Sequence, residues 1–206
     1  SSTSRGLGDV YKRQLLAHMA ETTNTIAAGE VMQLVHAGDP DTQAEQYQEI
    51  IRRKTAALFA AACCGAGLLH QSPADQTDGL YHYGMNLGIA FQLADDLLDY
   101  AGDPSQTGKN VGDDLREGKI TLPLLHAMKA GTPAQRDRVA EVLRQKEGDA
   151  FAEIIEIVRH TGGIEATRDA AIHHQALAQA ALAPLPASDA LNALNQMAEK
   201  AVDRQA

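Results

Sequence analysis

Two long helical runs, one directly after the other, constrain this chain more than anything else in it. Thr42 and Glu45 have the spacing of a capping box, and apolar positions then keep a helical period to about His70. Ser72-Pro73-Ala74-Asp75 is a second helix start, and the period resumes to about Ala101. The rest of the chain follows suit. Helical periods fit about Val10 to Ala37, closed by Gly38, and Leu122 to Ala130 with Pro123 in the first turn. Thr132-Pro133-Ala134-Gln135 opens another, and three more fit about Asp149–His160, Gly163–Ala183 and Ser188–Arg204. Gly162-Gly163 and Pro184 with Pro186 punctuate the last of these, and a glycine-bearing loop is expected from Gly102 to Thr121. No segment has the pattern of a strand, a repeat or an interdomain linker. The expected fold is a single all-α domain.

Composition agrees. The 206 residues are 44% hydrophobic but only 4% aromatic, with no Trp, a balance that favours helix over sheet. The net charge is −9 and no face is basic, which argues against broad nucleic-acid binding. No apolar run is long enough for a transmembrane helix. Cys63 and Cys64 are neighbours that point different ways in a helix, so they suit two reduced thiols of a cytoplasmic protein better than a mutual disulfide.

The stretch Phe91–Tyr100, FQLADDLLDY, sets three aspartates in an otherwise apolar helix. At about 100° per residue, Gln92, Asp95, Asp96 and Asp99 share one arc of roughly 100°. Ala90, Phe91, Leu93, Ala94, Leu97 and Leu98 fill the rest of the circumference. A solvated face would mix basic residues into such a stripe, and none stands three or four positions away. Clustered carboxylates raise one another's pKa unless a cation lies between them. Hard oxygen ligands on one face suit Mg²⁺, which keeps several waters and bridges to phosphates. A solvated acidic turn is the plainer alternative.

Lys54 occupies the centre of an apolar face made by Ile50, Ile51, Ala57, Leu58 and Ala61, where it must snorkel out or meet an anion. Thr55 beside it is a hydroxyl donor, whereas Arg52 and Arg53 point elsewhere as surface residues. The loop after the aspartates, GDPSQTGKNVGDDLREGKITLP, adds Lys109 and Lys119 among glycines that permit close backbone approach. Its Asp113 and Asp114 suit a helix cap or the ordering of the loop around a metal. Carboxylates with several lysines suit a metal-bound diphosphate. One unit-charge pair about 4 Å apart contributes roughly 4 kcal/mol at an effective dielectric near 20.

GMNLGIAFQLADDLLDY, followed by GKNVGDDLREGKITLPLLHA, resembles the second aspartate-rich region of the trans-isoprenyl (polyprenyl) diphosphate synthases. GEVMQL at 29–34 and KTAALF at 54–59 resemble that family's preceding motifs, in the same order. The long-chain, octaprenyl branch serving quinone side chains is the nearest resemblance. It implies a helical bundle around a central cavity, a homodimer, and head-to-tail condensation of isopentenyl diphosphate onto an allylic diphosphate. By that resemblance Asp95 is the main Mg²⁺ ligand, with Asp96 and Asp99 supporting it, partly through water. Lys54 and Lys109 hold the allylic diphosphate, and Lys119 helps as the loop closes. Thr55 and Gln92 offer oxygen dipoles to a carbocation, and Gln33 lines the cavity.

The family's first D-D-x-x-D motif belongs upstream of GEVMQL, and these 206 residues do not contain it. The match spans residues 15–206, as the last two thirds of a synthase without its N-terminal helices. Residues 1–14 are loop-like and are expected to be a junction or non-native segment. The expectation is a chain with little synthase activity alone, with apolar faces left uncovered. A non-catalytic partner subunit of a heteromeric synthase, or an inactive helical scaffold, are the other readings. The retained aspartates and lysines argue against the first of these, and diphosphate binding discriminates the second.

Overall fold

The computed structural model describes residues 2–101, 112–145 and 150–203, and every regular element among them is helical. α1 spans Ser2–Val35 and α2 Ala44–Ile51. A π-helical turn at Arg52–Ala56 leads directly into α3, Ala57–His70. After Ser72-Pro73 come α4 (Ala74–Ala101), the short α5 (Asp113–Arg116), α6 (Leu122–Ala130) and α7 (Pro133–Gln145). α8 (Phe151–His160), α9 (Gly163–Ala181) and α10 (Asp189–Val202) complete the bundle.

Three sequence expectations are corrected in detail. The opening stretch is helical from Ser2, not loop-like: α1 runs through residue 14 without a break. The first long run is capped one residue later than the capping-box spacing suggested. Gln43 is the N-cap and receives the Gln46 side chain on its N–H at 2.7 Å, while the Thr42 hydroxyl donates to the Asp39 carbonyl at 2.8 Å. That run is also not one uniform α-helix, because the π-helical turn divides it. Such turns concentrate at functional positions, and this one carries Lys54 and Thr55.

α4 is the axis of the fold. It is buried on nearly every side, from Thr77 to Tyr100, and packs most extensively against α9 and α3. Its apolar circumference feeds two cores. The larger joins Leu93, Leu97 and Tyr100 to Leu124, Val139, Ile154 and Val158 of α6, α7 and α8. The smaller joins Tyr83 and Leu87 to Ala178, Leu182 and Ala198 near the C-terminal end. Ser188 caps α10 by accepting the Leu191 N–H at 3.1 Å.

Two close backbone approaches bring the site together. A Cβ added at Gly84 would lie 2.5 Å from the Phe59 carbonyl oxygen, and one at Gly88 2.6 Å from Ala56 Cα. The four-residue glycine spacing therefore lets α4 lie directly on the π-helical turn and the start of α3. Gln92, one turn beyond Gly88, lands opposite Thr55 as a result. On the other side, a Cβ at Gly29 would lie 2.6 Å from the Lys54 backbone nitrogen, so α1 presses on the same turn. Phe59 and Phe91 stack at a centroid distance of 5.4 Å beside this junction. α1 meanwhile leaves Leu16, Val31, Leu34 and Val35 largely exposed. No helix among the described residues is long and apolar enough to cross a membrane.

Candidate functional site

A cavity of about 200 Å³ opens where α1, α2, the π-helical turn, α4 and the segment 114–121 meet. Gln33, Lys54, Thr55, Gln92, Asp95, Asp96 and Lys119 all line it, so the structure gathers seven of the nine expected site residues at one place. Asp99 is buried one turn further along α4, and Lys109 lies outside the described residues. Ile50, Ile51 and Ile120 form an apolar part of the wall. The Gly38 N–H donates to the Gly118 carbonyl at 2.8 Å and ties the loop after α1 to the loop before α6 at this end of the bundle.

Lys54 neither snorkels away nor stands alone. Its ammonium donates to Gln33 Oε1 and lies 2.6 Å from Glu30 Oε2. Arg52 and Arg53 turn to the other side and pair with Glu49 at 3.1 and 2.5 Å, as ordinary surface residues would. Lys119 lies 2.7 Å from Asp114 and 2.8 Å from Glu117. Burial opposes its charge, but these two carboxylates outweigh burial and hold its pKa above the usual lysine value.

The three aspartates do not converge. Asp95 is half-buried and reaches the cavity. Asp96 is only 2% exposed, and both its carboxylate oxygens are engaged. The Gln92 amide donates to Oδ1 at 2.9 Å and the Tyr47 hydroxyl to Oδ2 at 2.5 Å. Asp99 accepts the Asp114 N–H on Oδ1 at 3.2 Å, and its Oδ2 is buried without a hydrogen-bond partner. The helical wheel explains the fan: consecutive residues such as Asp95 and Asp96 diverge by about 100° even inside one stripe. Burial, chiefly, pushes Asp96 up to about 7 and Asp99 up to about 6. Tyr47 is also raised, by burial first and then by the Asp96 charge.

Among the described residues no three His, Cys, Asp or Glu side chains form a ready-made metal cage. Mg²⁺ does not require one, since it takes one or two carboxylates and completes its shell with water and phosphate oxygens. A half-buried Asp95 in a cavity with two lysines fits that mode of binding. Asp114 shares the cavity but is already paired to Lys119.

Thr55 Oγ1 donates to Gln92 Oε1 at 2.8 Å, which links the π-helical turn to α4. Tyr47, Glu30, Asp114 and His36 were not singled out as site residues from the sequence. Tyr47 sits on an apolar helical face and resembles core there. Asp114 carried a signal only as a helix cap or loop-ordering residue, and Glu30 only as part of GEVMQL; the pairings with Lys119 and Lys54 come from the fold. His36, which lines the cavity, carried none.

Known proteins resemble this chain in sequence and in fold. Residues 3–159 match the polyprenyl synthetase family. The octaprenyl diphosphate synthase of Escherichia coli is 46% identical over 93% of this chain and 59% of its own length. An all-trans-nonaprenyl-diphosphate synthase of Rhodobacter capsulatus is 37% identical over 96% of this chain and 61% of its own length. Among solved structures, a polyprenyl synthase from Caulobacter crescentus complexed with calcium and isoprenyl diphosphate superposes with a TM-score of 0.88. It is 40% identical, with 94% of this chain and 60% of that one covered. The chain thus spans about three fifths of the length of these relatives. With its family match extending over most of its residues and its fold shared with solved synthases, the chain belongs to the polyprenyl synthetase family.

Proposed function

We propose that the cavity binds the diphosphate of an allylic prenyl substrate together with Mg²⁺, as part of a transferase that extends the chain with isopentenyl diphosphate. One observation carries this reading. A single cavity collects a half-buried Asp95, two lysines, and the Thr55–Gln92 pair from segments far apart in sequence. Identity to octaprenyl and nonaprenyl synthases supports a long-chain all-trans product.

When bound, Mg²⁺ neutralises diphosphate charge and makes it a better leaving group. Asp95 is the residue to hold it, with Asp96 and Asp99 supporting from behind. Lys54 and Lys119 exchange their carboxylate partners for phosphate oxygens, which are acceptors of the same kind. Lys109 is proposed as a third cation on the family resemblance alone. Thr55 and Gln92 turn oxygen dipoles toward the carbon that loses the diphosphate. Gln33 holds the Lys54 ammonium at the wall, and Ile50, Ile51 and Ile120 give the hydrocarbon an apolar surface.

The chain is proposed to act as a homodimer, to which the exposed apolar residues of α1 offer surface, and to reside in the cytoplasm with both cysteines as free thiols. These 206 residues hold one aspartate-rich motif of the expected two, so by themselves they are proposed to bind allylic diphosphate but to support little condensation. Equilibrium binding of a non-ionisable allylic thiolodiphosphate tests the reading. Binding that needs Mg²⁺ supports it, and absence of binding at millimolar ligand refutes it.

A further inference from the structure

Tyr47 and Asp96 are both almost completely buried, yet they sit on the cavity wall and bond to each other rather than to solvent. We infer that they form a buried positioning pair, which sets the direction in which the Gln92 amide presents itself to the cavity. The inference rests on the reading of the cavity as an allylic diphosphate site and adds to it a residue that touches no substrate.

An amide has a donor end and an acceptor end, and nothing in its shape tells them apart. Its surroundings decide. Here the Gln92 Nε2 donates to Asp96 Oδ1 at 2.9 Å, while Oε1 accepts from the Thr55 hydroxyl at 2.8 Å. Turning the amide over would set its oxygen against a carboxylate oxygen, acceptor against acceptor. The carboxylate is therefore the group that keeps the NH₂ inward and the oxygen outward. Tyr47 holds that carboxylate from the far side, through Oδ2 at 2.5 Å, and so keeps Oδ1 in line with Gln92.

The π-helical turn makes this possible. Tyr47 and Thr55 are eight residues apart and would diverge by about 80° on a uniform α-helix. The under-wound turn at Arg52–Ala56 closes that gap, so both face α4, where Gln92 and Asp96 are spaced by one turn. A positive charge developing in the cavity then meets an oxygen dipole and not an NH₂ group.

The test compares two ligands of equal length, with Mg²⁺ present and at pH 8 where the Asp96 carboxyl is ionised, by calorimetry on the full chain. One is a geranyl thiolodiphosphate, uncharged at the first carbon. The other carries an ammonium nitrogen at that position. The pair predicts that Tyr47→Phe lowers the preference for the cationic ligand about five- to tenfold, the scale of one lost hydrogen bond. Affinity for the thiolodiphosphate stays within about twofold. Asp96→Asn lowers the ratio of the two affinities by the same factor, whatever its support of Mg²⁺ costs both ligands alike, and serves alone if Tyr47→Phe does not fold. Gln92→Leu lowers the ratio of the two affinities as well, and adding Tyr47→Phe to Gln92→Leu lowers that ratio no further. A uniform loss of both ligands marks a merely structural contact and overturns the inference, as does an unchanged preference in Tyr47→Phe and Asp96→Asn. If the unmodified chain binds neither ligand, the site reading itself fails and the inference falls with it.

Discussion

The Tyr47 hydroxyl donates to Asp96 Oδ2 at 2.5 Å, joining α2 to α4 across 49 residues of sequence. A carboxylate held there titrates far from its place in an unfolded chain. Burial raises Asp96 from 3.8 to about 7, against the pull of its bonds to Tyr47 and Gln92, and raises Asp99 to about 6. Between about pH 4 and 7 the folded chain therefore holds protons that the unfolded chain has released. The stability these groups contribute is complete below the unfolded value and is lost as pH rises through the folded one. Asp96→Asn cannot lose a proton, so its Tm should gain on the unmodified chain from pH 5 to about 7 and level off above that. A Tm difference that is flat or shrinks over that interval contradicts the assignment.

Lys54 lies at the Gln33 and Glu30 wall of the cavity, in partner groups that phosphate oxygens can replace. Lys54→Ala should lower thiolodiphosphate affinity about 10- to 100-fold, the range of one charge-assisted hydrogen bond. Tm should change little, because the ion pair with Glu30 is partly exposed. Calorimetry and a melting curve on the same sample check both halves.

Gly88 has no room for a methyl group, since its Cβ would sit 2.6 Å from Ala56 Cα. Gly88→Ala should destabilise the fold by about 1–3 kcal/mol, as overpacking does. It should also part Thr55 from Gln92, because both contacts lie at the same junction. Urea unfolding measures the first effect, and loss of ligand binding in the still-folded fraction measures the second.

Inserting an alanine between Ile51 and Arg52 turns α2 by about 100° about its axis relative to the π-helical turn. Tyr47 then leaves Asp96, and Ile50 and Ile51 leave the cavity wall. Circular dichroism unchanged within error, with thiolodiphosphate binding reduced at least tenfold, is the expected pair of results. Full binding by the insertion variant would show that the register between α2 and the turn does not align the site.

Much of this was legible in the sequence for identifiable reasons. The limits of α4 and α6 follow from Ser72-Pro73, Thr121 and Pro123, residues whose backbone chemistry starts helices. Lys54 stood out because a cation on an apolar face needs an anion or acceptor, and Gln33 and Glu30 supply them. The stripe of Gln92, Asp95, Asp96 and Asp99 followed from helical period alone. The division of labour within it did not, because a wheel gives direction without saying what lies opposite. Asp96 meets Tyr47, which a period cannot connect to it, and a tyrosine on an apolar face resembles core. The π-helical turn was invisible for a related reason: a wheel built on 3.6 residues per turn assumes the register that this turn breaks. The early start of α1 escaped because Gly6 and Gly8 within a serine-rich opening favour loop by propensity.

The central claim is that Asp95 and Mg²⁺ together make this cavity a diphosphate site. The most direct measurement is the affinity of the geranyl thiolodiphosphate for the unmodified chain and for Asp95→Ala, each with Mg²⁺ and with chelator. The account predicts at least tenfold tighter binding with Mg²⁺ in the unmodified chain and no Mg²⁺ effect in Asp95→Ala. Binding that is indifferent to Mg²⁺ in the unmodified chain, or an undiminished Mg²⁺ effect without the Asp95 carboxylate, would contradict it.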